Sequence, residues 1–366
     1  MSDTGRKVSV RATGEEAYFV ASNSVRGFHS WYTDCFDDAC VGRVFAIKGG
    51  PGTGKSRFMR DVSEFAGKRG WRSEMIYCSS DPDSLDGVIL SHPGEKKIAV
   101  LDATAPHVYE PKHPGYREEL VDLGVFWSAD ALRRRQEELE GLNAEKQAAY
   151  RRAYRYLAGY GGMSASLEEL IMPFVREHAI AGFAAKLMRD LPDGNAFSPR
   201  VALMRSVGMR GRVTFDTYFA QAEKICLLSD CRGSGAVLMR ELYRLAAEKR
   251  MEVRVSRDPL LPERIDALFF PSCRTVFAVG GAEECLYPHR TVSMRRFVDT
   301  AGMRSVKGAV NYAERIRRAM LTGAVEELER AADIHFRIEE IYESAMDFPA
   351  KEEFTKVFCQ RLFGEK

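Results

Sequence analysis

Short apolar runs alternate along the chain with longer segments whose apolar residues recur at helical spacing. Val44–Ile47 is a run of four apolar residues and predicts a buried strand. The segment Ser56–Lys68 carries apolar side chains at Phe58, Met59 and Val62, which is the spacing of one helix face. A glycine-rich stretch separates the two segments. The pattern therefore predicts a strand, a tight loop and a helix in direct succession.

The same patterns predict further strands and several long helices. Ser73–Cys78 and Ile98–Leu101 are apolar enough to form strands. Segments rich in Ala, Leu, Glu, Arg and Lys favour helix, with Gly141 as a weak point in the first of them. The predicted helices are Ala129–Leu157, Ser166–Leu191 with a break at Pro173, Ala309–Asp347 as one or two helices, and Lys351–Leu362.

The second half of the chain repeats the order of features found in the first. Gly52–Gly54 aligns with Gly233–Gly235 at an offset of 181 residues, and flanking strands and helices recur at similar offsets. A period this long indicates duplicated domains rather than a solenoid. We predict a first domain over 1–191, a linker over 192–199 and a second domain over 200–366. Each domain is expected to end in a helical extension.

The glycine-rich stretch matches the pattern G-x-x-x-x-G-K-[ST] at every fixed position. Glycines allow backbone N–H groups to approach a phosphate chain closely, and the following helix adds the positive end of its dipole. A lysine and a hydroxyl at the end of the loop suit the β/γ-phosphates and Mg²⁺. The expected ligands are ATP and Mg²⁺. The residues expected to bind the nucleotide are Gly49, Gly50, Pro51, Gly52, Thr53, Gly54, Lys55 and Ser56.

Acidic residues follow the other predicted strands of the first half. Asp102 ends an apolar strand and is the expected second Mg²⁺ ligand beside Ser56, with Lys55 and Asp102 as catalytic groups. Ala103, which follows Asp102 directly, has no carboxylate that could activate a water, so the source of a general base is left open. Asp81 and Asp83 are further catalytic candidates.

Several neighbours of these acids leave alternatives open. Together with Asp86, the pair Asp81 and Asp83 could hold an acceptor, activate a water or simply form a turn. His107 and His113 follow Asp102 in a proline-rich loop, where each is an acid–base candidate or a surface residue.

These residues resemble the P-loop NTPase superfamily. More narrowly, Lys48–Ser56, Cys78–Asp86 and Leu101–His107 resemble a family of uncharacterised bacterial ATP-binding proteins with two tandem P-loop halves. The resemblance implies an α/β fold of tandem P-loop domains, with ATP binding and hydrolysis as the activity. The predicted strand between the two motifs favours the RecA-like branch, which has a parallel sheet flanked by helices. A nucleotide-kinase-like order is the alternative.

The second copy is expected to have lost the phosphate chemistry. Lys55 aligns with Ala236, and Asp230 places a negative charge where a phosphate would approach. Four arginines of this half are candidate arginine fingers or solvated surface residues: Arg232, Arg290, Arg295 and Arg296. His335, Glu339 and Glu343 fall on one helix face, where they form either a metal ligand set or a salt-bridged surface.

Composition restricts the class of protein without identifying a substrate. The 366 residues carry 54 Lys and Arg against 52 Asp and Glu, so bulk charge does not indicate a nucleic-acid-binding protein. The thinly spread cysteines are expected to be reduced, and no apolar leader or membrane span is predicted, which favours a cytoplasmic location.

Three functions stay open at this stage. They are an ATPase coupled to a conformational change, a nucleotide or small-molecule kinase, and a non-catalytic ATP sensor or assembly factor. The acceptor, any protein partner and the oligomeric state are not determined.

Overall fold

The computed structural model describes residues 9–11, 16–37, 39–107, 109–281, 285 and 287–364. The strands are β1 (Ser9–Arg11), β2 (Glu16–Phe19), β3 (Ala21–Ser24), β4 (Gly27–Ser30), β5 (Arg43–Lys48), β6 (Arg72–Tyr77), β7 (Leu85–Ser91), β8 (Ile98–Asp102), β9 (Glu118–Asp122), β10 (Ser198–Val201), β11 (Arg205–Gly208), β12 (Gly211–Phe215), β13 (Lys224–Ser229), β14 (Glu252–Arg257), β15 (Ile265–Phe270), β16 (Thr275–Val279) and β17 (Arg290–Ser293).

Helices connect and flank these strands. The α-helices are α1 (Tyr32–Cys35), α2 (Lys55–Gly67), α3 (Ala129–Arg133), α4 (Gln136–Ile171), α5 (Glu177–Met188), α6 (Thr217–Gln221), α7 (Ser234–Glu248), α8 (Lys307–Glu343) and α9 (Phe348–Phe363). Short 3-10 helices span Leu123–Phe126, Met172–Phe174, Pro271–Cys273, Met294–Phe297 and Gly302–Val306.

Two six-stranded sheets have the same strand order. The first runs β2-β6-β7-β8-β5-β9 and the second runs β10-β14-β15-β16-β13-β17. In each sheet the third strand is antiparallel to both neighbours, and the other pairs are parallel. This shared order is compatible with the duplication predicted from the sequence.

The expected RecA-like order is wrong for both sheets, and so is the expectation of fully parallel sheets. The strand β8, which ends in Asp102, pairs directly with β5, which leads into the glycine-rich stretch. The two intervening strands along the chain, β6 and β7, form an antiparallel hairpin on the far side of β8. No strand therefore lies between the two motif strands in space.

One face of the second sheet packs against the first half of the chain. Successive side chains of a strand point to opposite faces. Accordingly, Leu227 and Phe269 join a core shared with the first sheet, whereas Leu228 and Phe270 join a second core with α5 and α7. Between the sheets, the partly buried Arg200 forms a salt bridge with the buried Glu74 at 2.5 Å. The two sheets are thus parts of one packed body.

The long helices α4 and α8 lie side by side and antiparallel. Arg152 pairs with Glu327 at 2.8 Å, and Lys146 contacts His335 at 3.5 Å, so partner numbers fall along α8 as they rise along α4. The helix α4 has 36 residues and is therefore about 54 Å long. Each of these two helices begins beside one half of the chain and ends beside the other half.

The helices that follow α4 and α8 each pack against the other half of the chain. The helix α5 lies against α7 of the second half, and α9 lies against α2 of the first. Phe358 of α9 contacts Phe45 and Phe58, with ring centroids 5.1 Å apart in both cases. A helix from each side of the predicted linker 192–199 therefore packs on the half of the chain that lies beyond the linker.

The expected end of a helix near Leu157 is wrong, because α4 continues to Ile171. Gly159 and Gly161, which follow Leu157, do not break the helix and allow close packing there. A Cβ on Gly159 would lie 3.0 Å from the Met320 sulfur, and one on Gly161 would lie 3.0 Å from the Val25 Cβ. The predicted break at Pro173 is confirmed by the short 3-10 helix there.

Replacing Phe358 by Ala is expected to lower the free energy of unfolding by about 3–5 kcal/mol, because it opens a cavity between α9 and the first sheet. The matched control is Val357→Ala, since the neighbouring Val357 is 54% exposed. Its expected cost is under about 0.5 kcal/mol. Urea unfolding of both variants measures the difference. Equal costs would contradict the placement of α9 on the first half.

Candidate functional site

The glycine loop, Gly49–Ser56, joins the carboxyl end of β5 to the amino end of α2. Gly52 and Gly54 have φ angles of +67° and +74°, a region that L residues with a side chain rarely adopt. The left-handed Gly54 stands directly before the first residue of α2. The N–H groups of the first helical turn lack partners within the helix, so this end of α2 is suited to an anion.

Lys55 lies across its own loop and beside Asp102. Its Nζ donates to the carbonyl oxygens of Gly49 at 3.1 Å and Gly50 at 2.8 Å, and lies 3.6 Å from Asp102 Oδ2. The predicted pair of Lys55 and Asp102 is thus close in space. Burial raises the pKa of Asp102, although Lys55 and the Thr104 N–H act in the opposite direction.

The loop after β8 is tied to the glycine loop by hydrogen bonds. Thr104 donates its backbone N–H to Asp102 Oδ1 at 2.8 Å and its hydroxyl to the Gly49 oxygen at 2.9 Å. The Lys48 amine donates to the Ala103 oxygen at 2.7 Å. These bonds fix the Asp102 carboxylate against the start of the glycine loop.

The residues that would hold Mg²⁺ supply the oxygen ligands which that ion prefers. Asp102 Oδ2 faces Lys55 and is 3.6 Å from its amine. The Ser56 hydroxyl accepts one hydrogen bond, from the Leu85 N–H at 3.0 Å, and a hydroxyl oxygen has a second lone pair. Ser56 and Asp102 therefore fit the predicted metal role in donor chemistry.

The three acids after β6 have separate environments. Asp83 is half exposed and pairs with Arg210 from the β11–β12 hairpin of the second half. Asp81 accepts the Asp83 N–H at 3.1 Å, and burial raises its pKa. Asp86 is buried and lies 3.1 Å from the Nε2 atom of His107. Of these three acids, Asp86 is the one that acts electrostatically on Asp102, and its charge contributes to the raised pKa of Asp102.

The structure separates the two candidate histidines. His107 is buried beside Asp86, with its ring stacked on Tyr32 at 4.7 Å. Burial alone would lower the pKa of His107, but the Asp86 carboxylate outweighs it and raises the pKa. His113 lies before β9, at the end of the sheet opposite the glycine loop, where its N–H contacts Glu118. Only His107 belongs to the site.

The end of α8 rests directly on the glycine loop, a contact that sequence patterns did not indicate. A Cβ on Gly52 would lie 2.6 Å from the Glu339 carbonyl oxygen, and one on Gly50 would lie 2.8 Å from the Tyr342 ring. The Glu339 carboxylate interacts electrostatically with Gly52 and Lys55 of the loop. Burial raises the pKa of Glu339, but His335, Gly52 and Lys55 together outweigh it and lower the pKa.

In the row of His335, Glu339 and Glu343, the two glutamates lie against the loop. His335 Nε2 lies 3.5 Å from Glu339, and the Glu343 Cγ lies 3.0 Å from the place of a Cβ on Gly52. Glu339 and Glu343 therefore help to cover the glycine loop.

The matching loop of the second half is closed by its own side chain. Asp230 accepts the N–H groups of Gly233 at 2.8 Å and Gly235 at 2.6 Å. A carboxylate thus occupies the backbone donors that a phosphate would need, in line with the charge expected at Asp230.

The four candidate finger arginines have partners on α5 or within the second half. Arg290 and Arg296 lie over the Phe183 ring at 5.4 and 5.5 Å, and Arg232 is 3.6 Å from Glu314. Arg295 acts electrostatically on Cys231. Among the contacts described for these four residues, none involves the glycine loop of the first half.

In comparisons by sequence and by structure, no family model, no curated protein and no solved structure matched the chain. Among the described residues, none of the helices combines the length and the apolar character needed to cross a membrane.

Replacing Gly52 by Ala is expected to lower the free energy of unfolding by about 2–4 kcal/mol, because it adds a clash with α8 to the cost of a left-handed backbone. Gly94→Ala is the matched control, since Gly94 has a φ of +82° but no neighbour within 4 Å of a new Cβ. Its expected cost is about 1 kcal/mol. Urea unfolding compares the two. Equal losses would mean that α8 does not constrain the loop.

Proposed function

We propose that the chain is a P-loop ATPase whose first half binds Mg·ATP. The observation that carries the proposal is the position of Lys55, which ends a glycine loop with left-handed backbone and lies 3.6 Å from Asp102 on the adjacent parallel strand. The carboxyl ends of neighbouring parallel strands are a usual place for ligands in α/β sheets.

Each residue has a defined part in nucleotide binding. The loop N–H groups and the start of α2 hold the phosphate chain, and Lys55 exchanges its bonds with Gly49 and Gly50 for bonds to the β/γ-phosphates. Ser56 and Asp102 hold Mg²⁺, which neutralises the charge that develops on the transferred phosphoryl group.

The cover provided by α8 couples nucleotide binding to a conformational change. The Glu339 carboxylate interacts electrostatically with Gly52 and Lys55, so it competes with a phosphate for the loop N–H groups and for Lys55. Binding ATP requires this carboxylate to withdraw. Because α8 packs along α4 over its length, a shift at one end of α8 is transmitted to the second half.

A non-catalytic sensor is the second candidate function. The observation in its favour is Ala103, which follows Asp102 directly and places no carboxylate there for a water. A sensor would bind Mg·ATP and move α8 with turnover near background. Phosphoryl transfer to an acceptor would instead yield a phosphorylated product without stoichiometric free phosphate.

Calorimetric titration with Mg·ATP is expected to show one site per chain, and Lys55→Ala is expected to abolish it, because the mutation removes the cation that holds the phosphates. At about 100 times its Kd, ATP should also stabilise the wild type by about 2.7 kcal/mol. Phosphate release in the same samples separates ATPase from sensor. The control is Lys68→Ala, since Lys68 caps the opposite end of α2 and pairs with Glu64 at the surface.

Unchanged binding in Lys55→Ala would refute the glycine loop as the nucleotide site. Two ATP molecules per chain would show that the second half also binds nucleotide, despite the Asp230 carboxylate in its loop.

Replacing Glu339 by Gln is expected to raise the affinity for Mg·ATP by about tenfold, because it removes a negative charge that competes with the phosphates. Glu340→Gln is the matched control, since Glu340 is the next residue of α8 and is exposed. Its affinity should equal that of the wild type. The same titration measures both. A weaker or unchanged affinity in Glu339→Gln would contradict the competition.

A further inference from the structure

A second group of side chains with metal-binding chemistry lies near Asp102. Cys78 follows β6, Asp86 lies in β7 and His107 follows β8, and one donor atom from each lies within 4.8 Å of the others. His107 Nε2 and Asp86 Oδ2 are 3.1 Å apart. Sulfur, oxygen and nitrogen donors thus converge from three different segments of the first half.

A β-bulge positions the carboxylate of this group. The register shifts between Ile76 and Tyr77, which pair with Gly87 and Leu85, so Asp86 is the extra residue. Bulges re-aim side chains and recur beside functional sites. The backbone of Asp86 is held in place because its carbonyl accepts the Tyr32 hydroxyl at 3.0 Å.

The histidine and the cysteine are positioned as firmly as the carboxylate. The His107 ring stacks on Tyr32 and meets Phe28 edge-on, with centroids 5.2 Å apart in the second contact. The backbone N–H of Cys78 donates to the Ser84 carbonyl oxygen at 3.0 Å, which closes the turn that carries the thiol. Preorganised donors are what a selective metal site requires.

The second half repeats the bulge with different chemistry. Its register shifts between Ser256 and Arg257, which makes Asp266 the counterpart of Asp86. Asp266 is neutralised by the buried Arg205 at 2.8 Å. Asp258, at the place of Cys78, instead accepts the N–H groups of Leu260 and Leu261. In the second half, one arginine therefore compensates the charge of the bulged aspartate. In the first half, Cys78 and His107 stand beside the bulged aspartate instead of an arginine.

One nitrogen of the first-half group, His107 Nδ1, is buried and has no hydrogen-bond partner among the described residues. The other ring nitrogen, Nε2, faces Asp86 Oδ2 at 3.1 Å, and both residues are 5% exposed. Burying a carboxylate costs free energy, and a cation bound between Asp86 Oδ2 and His107 Nε2 would compensate for that cost.

We propose that Cys78, Asp86 and His107 bind a divalent transition-metal ion of the zinc class. Thiolate and imidazole donors favour Zn²⁺ or Co²⁺, whereas Mg²⁺ prefers oxygen alone. Tetrahedral bonds of about 2.0–2.3 Å place donors about 3.3–3.8 Å apart, so separations of 3.1 Å and up to 4.8 Å need only small side-chain shifts. Three protein donors leave a fourth position for water or another small ligand.

This site is distinct from the Mg²⁺ position proposed at Ser56 and Asp102. It contains no residue of the glycine loop, and its metal ties the end of the β6–β7 hairpin to the loop after β8. Metal binding there does not depend on nucleotide.

Cobalt titration of the chelator-treated full-length chain tests the site. We expect one Co²⁺ per chain with a thiolate-to-cobalt charge-transfer absorption, which Zn²⁺ then displaces. Cys78→Ser, a nearly isosteric change, should remove that absorption and weaken Zn²⁺ binding by at least about tenfold. His107→Gln should weaken Zn²⁺ binding to a similar degree.

Two control variants make the result specific. Cys226→Ser removes another buried thiol, from β13 of the second sheet, and should retain the absorption. Lys55→Ala should lose Mg·ATP but keep one Co²⁺, so failure of either proposal leaves the other standing. A wild type without the charge-transfer absorption, or a Cys78→Ser chain with unchanged Zn²⁺ affinity, would overturn the metal site.

Discussion

The antiparallel packing of α4 and α8 is the constraint on which the rest of the structure depends. Each helix starts in one half and ends on the other, so the pair exchanges its terminal helices between the sheets. Leu139 and Leu142 pack with Ile338 and Ile341 near one end, while Arg152 and Glu327 pair in the middle. Because α9 completes the core of the first half, neither half buries its apolar surface without the other.

The exchange also brings α8 onto the glycine loop. Gly50 and Gly52 have no Cβ, and this lets Tyr342 and the Glu339 carbonyl approach the loop closely. The same helix end supplies the Glu339 carboxylate, which interacts electrostatically with Gly52 and Lys55. A loop suited to anions is therefore covered by a segment nearly 290 residues later in the chain. Through this one helix, the proposed nucleotide binding would be linked to the arrangement of the two halves.

The duplicated halves keep the same sheet but differ in chemistry. In the second half, Asp230 satisfies the loop amides and Arg205 neutralises the bulged Asp266. In the first half, the corresponding places hold a lysine-ended loop and an aspartate beside His107. One copy thus satisfies its polar groups internally, whereas the other leaves donors and acceptors available for ligands.

Local patterns were sufficient to predict the strand, loop and helix around Gly49–Ser56, the adjacent acid Asp102 and the repeat, because each depends on neighbours in the chain or on a fixed spacing. They did not predict that β8 pairs directly with β5, or that α4 continues past Leu157. Strand order and the tolerance of helical glycines are decided by contacts between distant segments. For the same reason, only the tertiary structure showed that Asp86 lies beside His107 and that α8 covers the loop. The residues that stabilise those contacts are far apart in the sequence.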